Sequence, residues 1–324
     1  MKAPFLFLIW LIISTPVEAK GQSIATVATV SPESDQNEPY RSRHFMVDGV
    51  ADLKVFTPSG DIEVVYNPDL KGVKVDLYVK RGFSLWSGSQ NLDNYRIIFR
   101  QNGNAITTSV ERKHPAPGRF GSDDVKFTFV IQAPKEILTN LRSMSGDILL
   151  NGVVGRQFLQ SDAGNLSLKN SEGELSLYSS AGSVSLENNN GYVQVKTVAG
   201  DVHIEKNRGE ARIRSVSGNI YSREMMGSFI CATVSGNIDA SFDSVFEGVH
   251  LETITGNVHL ELNEVQGFDV KTETMKLNLD QLPASYISER TSGRRTTMLK
   301  LGEGGIPVNI KTVSGSVEIK PKGN

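Results

Sequence analysis

Between Met144 and Gly256, apolar and polar residues alternate in short runs, and a glycine punctuates each run. In Val193-Gln-Val195-Lys-Thr197-Val-Ala-Gly200-Asp-Val202-His-Ile204 the apolar side chains alternate with polar ones on both sides of the glycine. The next unit repeats the pattern as Ala211-Arg-Ile213-Arg-Ser215-Val-Ser-Gly218-Asn-Ile220. A period of two belongs to strands, whereas a helical stripe needs three- and four-residue spacing. Such frequent glycines would also weaken a helix. The prediction is strand, turn, strand, turn.

The turns fall on a fixed beat. Gly146, Gly164, Gly182, Gly200, Gly218 and Gly236 are spaced 18 residues apart, and Gly256 follows after 20; Gly155, Gly173, Gly191, Gly209 and Gly227 lie midway. Repetition at one period is the mark of a solenoid. The expected fold is all-β: a two-sheet parallel β-solenoid of the β-helix or β-roll kind, with 18-residue rungs each made of two nines. Stacking equivalent strands about 4.8 Å apart would place Val193, Val195, Val202 and Ile204 between the walls. Outward positions are mostly small and polar, and no aromatic ladder is expected on either face. Gly60, near the start, and Gly315, near the end, sit in outlying copies of the phrase, in Thr57-Pro-Ser-Gly60-Asp-Ile62 and Thr312-Val-Ser-Gly315-Ser-Val317. They complete the set of structural corners.

The ends depart from the beat. Residues 44–138 hold alternating runs at Val73–Val79, Tyr95–Phe99 and Val125–Ile131, separated by Ser84–Asn94 and the turn-rich His114-Pro-Ala-Pro-Gly118. They read as an N-terminal antiparallel β-sandwich capping one end, since an open sheet edge would invite pairing with another chain. Residues 139–264 are the regular solenoid and 265–324 irregular C-terminal rungs and cap. There Met275 stands in the corner glycine's place, and because Met is unfavourable at positive φ that corner should differ. A hairpin or loop is expected between residues 280 and 303.

Residues 1–19 read as a secretory signal: Lys2, an apolar run from Phe5 to Ile13, and Val17-Glu-Ala19 as a small-residue cleavage site. The run is short for a membrane span, so no transmembrane segment is expected after cleavage. Residues 20–43 read as a flexible lead-in. The expected location is exported: periplasm, outer cell surface or secreted. The single cysteine, Cys231, excludes an internal disulfide and takes an inward position filled by Val195 and Ile213 in earlier units.

The residues show no catalytic constellation. The histidines His44, His114, His203, His250 and His259 are scattered, with no carboxylate or thiol cluster to complete a metal site. The corners lack the Gly-Gly-x-Gly-x-Asp pattern of calcium-binding rolls. No cofactor or metal is expected. Asp201, Asp239, Glu252 and Glu261 are the carboxylates that an alternative reading, a glycan hydrolase or lyase on the solenoid face, would use. Lys196, Lys206, Arg208, Arg212 and Arg214 fall in successive units and form a candidate basic patch for anionic glycan or lipid headgroups. A net charge of −2 gives nucleic acid no support as a partner.

Taken together, Pro58-Ser-Gly-Asp-Ile62, Ala133-Pro-Lys-Glu-Ile137 leading to Ser145-Gly-Asp-Ile148, the serial Ser/Ala-Gly-Asn/Asp/Ser turns, and Gly304-Gly-Ile306 before Thr312-Val-Ser-Gly315 resemble a bacterial family of β-strand-repeat proteins regarded as adhesins. The resemblance covers residues 45 to 320. It implies an exported or envelope-associated protein with repetitive β architecture and supplies no catalytic residues. The expected function is a non-enzymatic scaffold binding an envelope protein, glycan or lipid component, with homotypic assembly as a further alternative.

Overall fold

The structure, a computed structural model, describes residues 38–81, 92–113 and 125–323. The expected signal, most of the lead-in, residues 84–91 and the His114–Gly118 stretch lie outside the described residues.

The fold is all-β: 25 strands and two three-residue 3-10 turns among the described residues. In the regular region, long strands such as Glu172–Ala181, Asn190–Ala199 and Arg208–Ser217 pair in parallel. Short strands such as Val184–Glu187 and Val202–Glu205 do the same. The register Leu177↔Val195↔Ile213↔Cys231 advances 18 residues per step. Inward side chains form the core: Val202, Ile213 and Ile220 are 0% exposed and Ile204 2%. The two series do not stay apart. Strands Ile220–Ser235 and Ile238–Thr255 run through the second corner, so all 25 strands belong to one hydrogen-bonded sheet. Here the 20-residue interval is absorbed, the offset growing from 18 at Ser222↔Ala240 to 20 at Phe229↔Val249 through register shifts.

The main corner explains its own sequence phrase. A Cβ on Gly200 (φ +127°) would lie 2.3 Å from the Gly182 carbonyl oxygen, so each corner glycine is required by the one below it. The following Asn or Asp accepts a hydrogen bond from the next corner's backbone: Ser183 N–H donates to Asn165 Oδ1 at 2.9 Å, and Asn237 N–H to Asn219 Oδ1 at 3.0 Å. The Ser or Thr three places before the glycine is buried, and in several rungs it donates to a neighbouring corner carbonyl, as Ser161 Oγ does to Gly146 O at 3.0 Å. These contacts satisfy backbone groups that a tight turn would strand.

The second corner is built differently from the expectation. The midway glycines lie inside the long strands, packed against one another; the chain instead turns at Asn170, Asn188, Lys206 and Glu224, all with φ of 49–54°. Asn tolerates that left-handed conformation better than most residues.

The ends also differ. Strand Ala51–Thr57 pairs in parallel with both Ala105–Arg112 and Ile137–Ser145, and Ile62–Tyr66 with both Val125–Ala133 and Ile148–Asn151. The expected antiparallel sandwich is therefore corrected: two parallel rungs continue the ladders, because Leu53-Lys-Val55-Phe-Thr57 carries the rung phrase. At this end the antiparallel pairing is made by Arg41–Phe45, Val73–Arg81 and Tyr95–Asn102, which cover the outer rung. At the other end Ile306–Ser314 inserts between Ile238–Thr255 and Phe268–Glu273, and the hairpin Ile287–Ser292/Thr296–Leu301 covers Phe268–Glu273. Met275 does not replace a glycine. The pairs Glu273↔Lys311 and Lys276↔Ser316 leave three chain steps opposite five, so this corner is two residues shorter and needs no positive φ. No helix among the described residues is long and apolar enough to cross a membrane.

Candidate functional site

A wound sheet presents its outward side chains in columns along the axis, one per rung. On the face formed by the long strands, one column runs Phe56, Arg142, Gln160, Tyr178, Lys196, Arg214. The adjacent column runs Lys54, Asn140, Phe158, Ser176, Gln194, Arg212. Aromatic rings and cations therefore interleave across six consecutive rungs. The Arg142 guanidinium stands 5.1 Å from the Phe158 ring centre, Phe158 packs at 5.2 Å on Tyr178, and Lys196 Nζ stands 5.2 Å above Tyr178. Tyr178 donates to Gln194 Oε1 at 2.9 Å, and Arg212 lies 5.8 Å from the ring of Tyr192, one position nearer the strand start. The rings are half-buried and the cations exposed. At the N-terminal end, Lys54, Phe56, Thr107, Ser109, Asn140 and Arg142 line a shallow hollow of about 210 Å³ that runs into this strip.

No continuous aromatic ladder runs along this face among the described residues, but it carries rings that the alternation alone did not single out, with Phe158 packed on Tyr178. The missed residues are Phe56, Phe158 and Tyr192. Their outward position follows from the period of two, but Phe158 lies two rungs from Lys196, and only the register shows them as neighbours in space.

The predicted basic patch divides. Lys196, Arg212 and Arg214 share the strip, with Lys196 and Arg214 paired in register. Arg212 also holds Glu210 at 2.5 Å, and its guanidinium is kept firmly charged by that contact. Lys206 is a corner residue held by Glu205 at 3.4 Å and Glu224 at 4.0 Å, and these carboxylates raise its pKa. Arg208 opens its strand with its guanidinium 3.7 Å from Met226 Sδ. Neither belongs to the strip.

The carboxylates of the enzyme reading do not converge. Glu252 pairs with Lys311 at 2.8 Å on the long-strand face, and Glu261 with Lys320 at 2.9 Å on the other. Asp201 Oδ1 caps the Asn219 N–H at 2.7 Å. Asp239 neighbours Tyr221, whose pKa is raised by burial and then by Asp201 and Asp239. His203 stacks on Tyr221 at 4.9 Å and stands three rungs from His259, through Tyr221 and Asp239. No group of three or more potential metal ligands gathers among the described residues. Cys231 is fully buried, and burial pushes its thiol pKa far up.

Comparison with known proteins agrees with the repeat pattern. The family described as Toastrack DUF4097 matches residues 90–320. No curated protein matches the chain. Among solved structures, a candidate cell adhesion protein from Clostridium sporogenes ATCC 15579 is 13% identical and aligns over 88% of this chain and 100% of its own, with a TM-score of 0.25. A candidate adhesin from Bacteroides fragilis NCTC 9343 is 13% identical over 86% and 96%, TM-score 0.29. A candidate lipid binding protein from Parabacteroides distasonis ATCC 8503 is 10% identical over 88% and 98%, TM-score 0.28. At such scores the superpositions are loose.

Proposed function

Since the chain belongs to the Toastrack DUF4097 family, we propose that it is an exported, non-enzymatic, adhesin-like protein whose long-strand face binds an acidic glycan of the cell envelope. One observation carries the reading: aromatic rings and cations share one face along six rungs of a rigid ladder, with Arg142 and Lys196 flanking the Phe158–Tyr178 pair, beside an open hollow. Ring faces offer flat apolar area for the C–H faces of sugars, and Arg forks match carboxylate or sulfate groups. An exposed cation–π contact is worth only about 0.5–1 kcal/mol, so Lys196 can leave Tyr178 for a ligand carboxylate at small cost. The ladder holds the remaining groups in place, which limits the ordering penalty on binding.

Calorimetric titration with polyuronate oligosaccharides, with neutral dextran as control, tests this. Binding that weakens with salt, and falls tenfold or more in Tyr178→Ala and in Arg214→Ser, is expected. No binding to the polyuronate at low salt, or binding that ignores both substitutions, overturns it.

A further inference from the structure

One edge of the coil carries a second, independent feature. At the position two before the corner glycine, Val198, Val216, Val234, Ile254 and Val313 occupy five consecutive rungs and are 55, 50, 47, 47 and 53% exposed. The flanking pairs Thr197↔Ser215 and Ala199↔Ser217, Thr233↔Thr253 and Ser235↔Thr255, then Thr253↔Thr312 and Thr255↔Ser314 set them in one line. Scattered exposed aliphatics need no explanation, but an unbroken row of β-branched side chains does. The fold does not call for it: the equivalent positions in the two preceding rungs hold Asp162 and Ser180, which separate the row from the exposed Met144 one rung further on. On one flank the exposed residues are small, from Ala199 through Ser217 and Ser235 to Ser314, which lets another surface come close.

The other flank identifies the occupant. Reading along the axis it holds Lys196, Arg214, Ala232, Glu252 and Lys311. A two-fold axis through Val234, perpendicular to the coil, superposes the row on itself. It sets Val198 against Val313, Val216 against Ile254, and Val234 against its own copy. The same operation brings Arg214 beside the second copy's Glu252 twice, with the small Ala232 at the axis. Lys196 then faces Lys311, and the Glu252 that holds its own Lys311 at 2.8 Å is the carboxylate that meets Arg214, so one carboxylate serves both cations at each end. A parallel arrangement would oppose the charged flank to the small polar one and gain no ion pair.

We propose that this ridge is an isologous interface through which two copies of the chain pair antiparallel, edge to edge, with both long-strand faces on the same side. Three columns of five residues give fifteen per partner, below the roughly 20–30 of a standard interface, so the dimer is weak and forms in the micromolar range or above.

Sedimentation velocity on the exported chain, from about 1 μM to about 1 mM, tests the pairing. A reversible monomer–dimer equilibrium is expected. Val234→Asp, which brings two carboxylates together at the axis, should weaken it tenfold or more while leaving the monomer's melting temperature unchanged. Arg214→Glu alone and Glu252→Arg alone should each weaken it, and the double exchange should restore it. The proposal is overturned by a monomer at the highest concentration, by a dimer indifferent to Val234→Asp, or by a double exchange no better than the singles. It is equally overturned if the chain stays monomeric and floats with anionic phospholipid vesicles in a Val234-dependent way. Arg214 enters both tests, whereas Tyr178→Ala bears only on the glycan and Val234→Asp only on the pairing, so those two variants let the readings fail separately.

Discussion

A side chain on Gly182 would begin 2.1 Å from the carbonyl oxygen of Gly164, one rung away. That contact is backbone on backbone and cannot be relieved by a rotamer. The glycine phrase is therefore a stacking condition between rungs as much as a turn preference, and it holds equally where the interval is 20 residues, at Gly256 against Gly236.

Gly182→Ala should destabilise the fold by on the order of 3 kcal/mol, since it adds the clash to a φ of +141°. Asn165→Ala, which removes the acceptor for the Ser183 N–H, should cost about 0.5–1 kcal/mol at this exposed site. Denaturant unfolding of the two variants beside the parent checks the ordering.

Lys206→Asn should stabilise. The position has φ of 54°, and the same corner carries Asn188 and Asn170 in the preceding rungs, with Asn188 Nδ2 donating to Asn170 Oδ1 at 2.7 Å. Asn relieves left-handed strain and can extend that chain, whereas the exposed Lys206–Glu224 pair at 4.0 Å is worth little. A higher denaturant midpoint is expected; a lower one would show that the contacts with Glu205 and Glu224 outweigh the corner.

Tyr286 gives the C-terminal end an alkaline limit. Burial, then the nearby Glu264 carboxylate, push its phenol up to about 12, and its hydroxyl donates to the Gln266 carbonyl at 2.5 Å. A raised folded-state pKa means that the stabilisation is complete below pH about 10 and is lost as pH climbs through 12. Tyr286→Phe should lose about 1 kcal/mol at neutral pH with the hydrogen bond, and should flatten the decline between pH 10 and 12. Thermal melts across that range read both effects.

Much of the fold was legible because a strand's period of two and a repeat's period of 18 are both written in side-chain type. The inward aliphatics, the burial of Cys231 and the main glycine corners follow directly from them. The second corner escaped because its left-handed residue is Asn, Lys or Glu, and Lys206 looked like a patch residue. The end rungs escaped because strands adjacent in space, such as Ala51–Thr57 and Ile137–Ser145, are far apart in the chain. The strip was half legible: Lys196, Arg212 and Arg214 stood out by charge, while Phe158 and Tyr178 become one surface with them only once the register is known.

Removing one whole turn of the coil tests the winding most directly. Deleting residues 184–201 joins Ser183 to Val202 and keeps every remaining inward position inward; deleting 184–192 joins Ser183 to Val193 and puts a long-strand segment where a short strand belongs. The 18-residue deletion should remain soluble and unfold in a single cooperative transition by circular dichroism, and the nine-residue deletion should not. If the full-turn deletion fails to fold, or the half-turn deletion folds equally well, the chain is not wound as described.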